Sequence, residues 1–290
     1  MKKNSYPLYF TFGGLALYLL LFIVPGIMGI FYSFTDWSSY SREINFIGLD
    51  NFKTMFSPEE NYFFFIKNTI EFTVITTVLK TALGLFFALM LNEGIKGKNF
   101  HRAMIFMPAI LSTLIVGLIF KSILNPETGL LNTFLSNIGL GFLAQQWLVD
   151  VRIAFFSIMA IDTWKGVGYI MTIILAGLQS IPQSYYEASD IDGANYWGRL
   201  RYIILPMLLP TLTVTTVINL IYGLKIFDMV YVLTNGGPGY ATEVLYTVVF
   251  KEFSLGRYSV GTAMSSVLFI FMVLIGYFVI KLMTKEEVEV

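Results

Sequence analysis

Charged and amide side chains stranded inside long apolar runs are the groups in this chain best placed to do chemistry. They are Glu71 and Lys80, Asp162 and Lys165, Asn219, and Lys225 and Asp228. A charge at the centre of a membrane helix costs about 2.5–3.5 kcal/mol on insertion scales, so such groups pair or face a wet cavity. Asp162 and Lys165 stand three residues apart, as do Lys225 and Asp228, a spacing at which each couple can pair on one helix face. The alternative use is hydrogen bonding to a polyhydroxylated ligand, with the nearby rings of Trp164, Tyr169, Tyr222, Phe227 and Tyr231 as stacking surfaces. On that reading Asp162, Trp164, Lys165, Asn219, Tyr222 and Asp228 line a polar pathway through the apolar layer. Most of the aromatic residues meet lipid or neighbouring helices instead. Asn219 can equally bond an adjacent helix, a contact worth about 0.6 kcal/mol on average.

A second group of candidates lies in the polar island Pro182 to Arg201, which reads P-Q-S-Y-Y-E-A-S-D-I-D-G-A-N-Y-W-G-R-L-R. Ser184 followed by Glu187 has the spacing of a capping box and predicts a helix start. Gly193 suits the left-handed conformation that closes a helix, and Ala194 to Tyr202 can form a second short helix. Tyr185, Tyr186, Tyr196 and Trp197 are interface-anchoring types. Glu187, Asp190 and Asp192 offer acceptors to a partner's Arg or Lys, and the small Ala188, Ser189 and Ala194 allow close approach. Pro206 follows, where a fixed bend could pass movement of the island to the next apolar run. An interfacial helix lying on lipid is the competing reading, which the three acidic groups oppose.

The composition removes several classes of chemistry. There is no cysteine and a single histidine, His101, so disulfides, thiolate sites and His-rich metal sites are excluded. No Ser-His-Asp arrangement is evident. The turn Asn235-Gly236-Gly237-Pro238-Gly239 is not a phosphate loop, because no Lys-Ser/Thr follows it; it reads as a tight turn. Net charge is zero, which gives no basic surface for nucleic acid.

The elements that must hold these groups are membrane helices. Only 13% of the residues are charged against 56% hydrophobic, about half the charge of a soluble domain. Apolar runs of the roughly 20 residues needed to cross cover Tyr9 to Phe34, Thr69 to Leu91, Ala103 to Leu124, Ile153 to Leu178, Ile203 to Leu224 and Gly261 to Leu282. The first is too long for a signal h-region and is read as a retained span. With the N-terminus inside, Lys2, Lys3, Lys96, Lys98, Arg102, Arg199, Arg201, Lys281 and Lys285 fall on the cytoplasmic side, as the positive-inside rule requires. Both termini and the island Pro182 to Arg201 are then cytoplasmic, and the three longest joints are external.

The island, with its E-A-S-D-I-D-G-A and the I-L-P that follows, resembles the cytoplasmic loop shared by permease subunits of bacterial ABC importers. In that pattern Glu-Ala-Ala precedes a Gly four residues on and a second short helix ending in Leu-Pro. Here it falls on Glu187, Ala188, Ser189, Gly193, Leu205 and Pro206, with Asp192 and Ala194 beside Gly193 in the form typical of sugar importers. Ser189 departs from the second Ala, one small residue for another. The stretch F-D-M-V-Y-V-L-T-N-G-G-P-G, Phe227 to Gly239, resembles the signature of the maltose-type or glycerol-3-phosphate-type first permease of a heterodimeric pair.

The resemblance spans nearly the whole chain. It implies an all-α integral membrane protein with six transmembrane helices and the ABC type I importer permease fold: a cytoplasmic segment 1–8, then a permease domain 9–290 with a coupling loop 182–206 and external loops 35–68, 125–152 and 225–260. It implies that Glu187, Ala188, Ser189, Asp190, Asp192, Gly193, Ala194, Leu205 and Pro206 couple to an ATPase, and that Gly236, Gly237 and Pro238 touch a binding protein. The implied partners are a second homologous permease, two ATPase subunits and an external solute-binding protein, in a bacterial plasma (inner) membrane. The chain itself would carry no cofactor and no metal and would not be an enzyme; ATP and Mg would bind the ATPase subunits. Arg is absent from the six runs, which favours a neutral mono- or oligosaccharide. A stand-alone, ion-coupled sugar transporter is the alternative. Such a transporter usually shows internal repeats and matching broken helices, and no repeat is evident in the sequence.

Overall fold

The computed structural model describes residues 9–57, 61–93 and 96–284, and these are helical apart from their connections. The expected segment 1–8 with Lys2 and Lys3, and Lys285, lie outside the described residues. Helices α1 (Tyr9–Tyr18) and α2 (Val24–Tyr32) are joined by a π-helical turn, and α3 (Asp50–Thr54) and α4 (Tyr62–Asn92) follow. Next come α5 (Lys98–Ile110), α6 (Thr113–Ile123), α7 (Leu130–Asn137), α8 (Ala154–Gln179), α9 (Gln183–Ile191) and α10 (Tyr196–Arg199). The series ends with α11 (Leu205–Leu224), α12 (Asp228–Leu233), α13 (Leu245–Ser254) and α14 (Tyr258–Thr284).

Among the described residues, five stretches are long and apolar enough to cross a membrane by themselves: Thr11–Tyr32, Tyr62–Asn92, Ala154–Gln179, Tyr196–Leu224 and Tyr258–Met283. The expected straight run Ala103 to Leu124 is instead the pair α5 and α6, which meets the same test only together and is bent by 94°. Pro108 lies in the last turn of α5, where it has no N–H for the preceding carbonyl ladder. Leu111 and Ser112 are then extended, and the helix restarts at Thr113.

The chain divides into two compact units, the residues up to Phe63 with Val248–Ile270, and Phe64–Thr247 with the residues from Phe271 on. In the first, Asn51 donates from Nδ2 to the Ser33 and Thr35 carbonyls at 2.8 and 2.7 Å, and the Ser259 amide bonds Trp37 O. The buried Glu252 carboxylate accepts from Tyr62 Oη at 3.1 Å and from Arg257 at 2.6 Å.

In the second unit two apolar clusters are stacked along shared helices. One gathers Phe72 of α4, Val116 of α6, Phe155 to Ile161 of α8 and Met229 to Leu233 of α12. The other gathers Ala88 and Leu91 of α4, Ile170 to Leu178 of α8, and Ile204 and Leu208 at the start of the fifth stretch. Ile105 of α5 packs on this second cluster while Phe120 and Ile123 of α6 pack on the first. The bent pair therefore runs from one cluster to the other, as a broken span does. Helix α5 meets α8 at backbone contact, since a Cβ on Gly168 would stand 2.1 Å from the Ile105 carbonyl oxygen. Small residues at such crossings are how membrane helices gain packing without a hydrophobic drive.

Candidate functional site

Between the two clusters, Lys80 of α4 meets Asp162 of α8. Lys80 and Asp162 form an ion pair, Nζ to Oδ2, at 2.5 Å, with both side chains about fully buried. Tyr222 donates its hydroxyl to Asp162 Oδ1 at 3.0 Å, and Lys80 Nζ stands 4.4 Å from the centre of the Tyr222 ring. Gly166 makes room for this, because a Cβ there would lie 2.8 Å from Lys80 Cε. The expected pairing of Asp162 with Lys165 is corrected: both oxygens of Asp162 are engaged from other helices, α4 and α11. The second couple fails for a backbone reason. Helix α11 stops with Lys225 as its cap and Phe227 leaves helical geometry, so the i,i+3 relation of Lys225 to Asp228 is lost.

A cavity of about 240 Å³ opens beside the ion pair, walled by Lys80, Asp162, Lys165, Tyr169, Asn219 and Tyr222 and by the last turns of α5 at Phe106 to Ile110. Of the six expected pathway residues, Asp162, Lys165, Asn219 and Tyr222 meet there. Trp164 instead sets its ring edge against Phe120, and Asp228 is exposed at the start of α12. Asn219 donates to Thr81 Oγ1 at 3.3 Å, so the helix-bonding role holds alongside its place in the wall. Lys80 and the α5 face were missed as wall residues. The signal for Lys80 was its position, a lone cation deep in a span; nothing in the sequence showed which carboxylate it meets.

The island forms a helix hairpin. Helix α9 starts directly after Pro182, two residues earlier than expected, with no side-chain cap. The capping box of Ser184 and Glu187 is therefore not made, since the extended Pro182 itself ends the preceding turn and leaves Ser184 inside the helix. At the other end Gly193 adopts φ +69, and the Ala194 amide bonds the Ser189 carbonyl at 2.9 Å, the closing bond of a Schellman motif. Asn195 caps α10 by accepting from the Gly198 amide at 2.8 Å. The expected second helix is not separate, because α10 runs through a π-helical stretch, Leu200–Ile204, into α11. Leu205 and Pro206 occupy the first turn of α11, where a π turn accommodates the missing proline N–H.

The hairpin has two faces. Tyr186 packs on the cluster around Leu208, and Ser189 is buried with Oγ donating to Tyr186 O at 2.6 Å. Burial holds the Tyr186 phenol above its usual range, so it stays neutral. Asp190, which stays exposed, pairs through Oδ1 with Arg199. Glu187, Ala188, Ile191, Asp192 and Gly193 form the outward face, with Trp197 beside them at 73% exposure. A Cβ on Gly193 would meet nothing within 4 Å, so this glycine serves the turn and leaves open space above it.

The turn at Gly236 to Gly239 is built from within. Thr242 donates to Gly237 O at 2.7 Å, and a Cβ on Gly236 would lie 2.2 Å from the buried Glu243 carboxylate. Asn68 Nδ2 bonds the carbonyls of Ala241 and Glu243, tying the turn to α4. Gly237 and Pro238 are half-buried, while Gly236 is buried.

Comparison with known proteins places these features in context. Residues 80–285 match the family described as binding-protein-dependent transport system inner membrane component. The chain is 38% identical over 258 residues to the trehalose/maltose transport system permease protein MalF of Thermococcus litoralis, covering 87% of this chain and 85% of that one. It is 35% identical over 278 residues to the multiple sugar-binding transport system permease protein MsmF of Streptococcus mutans, covering 94% and 93%. Among solved structures, a chain of the bacterial alginate ABC transporter in complex with alginate pentasaccharide-bound periplasmic protein superposes with a TM-score of 0.85 at 25% identity, covering 98% and 96%.

Proposed function

This chain belongs to the family of binding-protein-dependent transport inner membrane components, and from that premise we propose that it forms half of a sugar pathway driven by ATPase subunits docked on the α9–α10 hairpin. It is a transport subunit and not an enzyme; ATP and Mg belong to the ATPase chains. The observation that carries the reading is the hairpin's outward face of Glu187, Ala188, Ile191, Asp192 and Gly193, presented by a closed turn with its charged neighbour Asp190 already neutralised by Arg199. Such a rigid, partly acidic knob suits a groove with basic residues. A second homologous permease completes the pathway. In support, none of the first span's apolar window, Thr11–Tyr32, is buried within this chain. A binding protein delivers the sugar from outside, with the Gly236, Gly237 and Pro238 turn in its reach, and both termini lie in the cytoplasm of a bacterial cell.

Gly193→Asn tests the docking. Asn tolerates the left-handed conformation, so the hairpin keeps its shape while a side chain fills the open space. The variant is expected to insert and assemble normally, with binding-protein-stimulated ATP hydrolysis lowered about tenfold, equal to about 1.4 kcal/mol of coupling. Full stimulation would sink the docking role.

The substrate is a carbohydrate. A neutral mono- or oligosaccharide fits the mutual cancellation of Lys80 and Asp162 and the absence of Arg from the six apolar runs of the sequence. An acidic saccharide is a second reading, favoured by Lys165 in the cavity wall and by the alginate system to which the fold is similar. ATPase stimulation across neutral and uronate oligosaccharides separates them, and Lys165→Gln abolishes the response only in the acidic case.

A further inference from the structure

We infer that the external segment from Thr128 to Val149 is an interfacial anchor, whose α7 lies in the outer-leaflet headgroup layer with one apolar face against lipid. No residue in that segment is charged, while Glu127, Asp150 and Arg152 bracket it. At about 100° per residue, Leu130, Phe134 and Ile138 project from one side of α7, next to Leu131, which packs on the protein core. Leu130 is 70% exposed, Phe134 61% and Ile138 50%, and Phe142, just beyond the helix, is 75% exposed. By the same geometry Ser136 lies about 160° from the centre of that stripe and Thr133 about 100°, both exposed, while Asn137 falls beside Leu130.

This apolar surface is not a frayed loop. Asn132 fixes it by donating to the carbonyls of Pro126 and Gln145 at 3.1 and 2.9 Å and accepting from Trp147 Nε1 at 2.8 Å. The geometry thus holds large apolar side chains outward in one fixed arrangement, where exposure to water would be costly.

Two observations select lipid as the occupant. A soluble protein docking from outside normally brings a charged rim and meets one, and this segment offers no charge to meet it. The surface also continues directly from α6, whose Leu114, Leu118 and Ile119 are exposed along the membrane-crossing pair. An amphipathic helix with an uncharged polar side and an aromatic–aliphatic side buries about 5–10 Å into the headgroup boundary. The inference rests on the membrane location of the chain and is independent of the sugar and of the ATPase contact.

The absence of cysteine makes the test direct. Phe134→Cys, Phe142→Cys and Ser136→Cys are each labelled with bimane in the assembled complex, reconstituted in vesicles containing lipids with a nitroxide near the top of the acyl chain. Labels at 134 and 142 are expected to be quenched by the nitroxide lipid at least about threefold more than the label at 136, and aqueous iodide should give the reverse order. Equal quenching of 134 and 136 by iodide would show a water-exposed helix and overturn the inference. Protection of 134 from both quenchers would show a covering protein and overturn it equally. Should either phenylalanine variant fail to assemble, Leu130→Cys gives the same readout from the same face.

Discussion

The Lys80–Asp162 pair is the costliest arrangement at the scale of single residues, and its partners explain why it persists. A buried ion pair gains stability only when further partners satisfy both ions; here the Tyr222 hydroxyl donates to Asp162 and the face of its ring gives Lys80 a cation–π contact. Removing one member leaves the other charged and unpaired. Lys80→Met is therefore expected to lower stability by about 3–5 kcal/mol, read as a lower unfolding midpoint of the detergent-solubilised complex. Adding Asp162→Leu to that variant should recover most of the loss. If the two substitutions simply add, the pair is not coupled and its assignment as a unit fails. Lys80 was visible in the sequence as an intramembrane cation. Its pairing was not, because spacing along a helix reports only local neighbours, and Asp162 found its partners across helices.

Helix contacts made at glycine carry the next scale. Gly168 lets the α5 backbone sit on α8, and a methyl there would collide with the Ile105 carbonyl and the Phe106 Cα, neither of which can swing away. Gly168→Ala is expected to cost about 1–3 kcal/mol through overpacking and to push the α5 wall off the cavity. Accelerated cysteine labelling at Ile110→Cys would report the opening; an unchanged rate and midpoint would mean that α5 is not held there. The sequence announced α5 and α6 as one apolar run, since hydropathy does not register a 94° bend. Pro108 marked a weak point in that run, but a proline in a membrane helix is compatible with a mild kink or a full break. The hairpin was more legible. Gly193 sits left-handed as its type predicts, whereas the capping box was displaced by a proline standing two residues before Ser184.

Orientation in the membrane belongs to the whole molecule. On the proposed orientation, which the charge bias favours, the hairpin lies inside and the Gly236–Gly239 turn outside, and a chain without cysteine allows this to be read from single labels. In right-side-out vesicles an impermeant maleimide should modify Asn235→Cys and leave Gln183→Cys untouched until the membrane is permeabilised. The opposite pattern would invert the topology and remove the basis for ATPase docking. By itself the sequence determined the solvent, the approximate number of crossings and the glycine-closed loop. These follow from local quantities: apolar length, charge placement, and a backbone angle that one residue type adopts freely. Tertiary structure alone decided that Lys80 neutralises Asp162, that Asp190 pairs with Arg199, and that the bent α5 supplies a wall of the cavity. Each of those depends on which helix stands next to which, a relation fixed by packing and carried by no single stretch of chain.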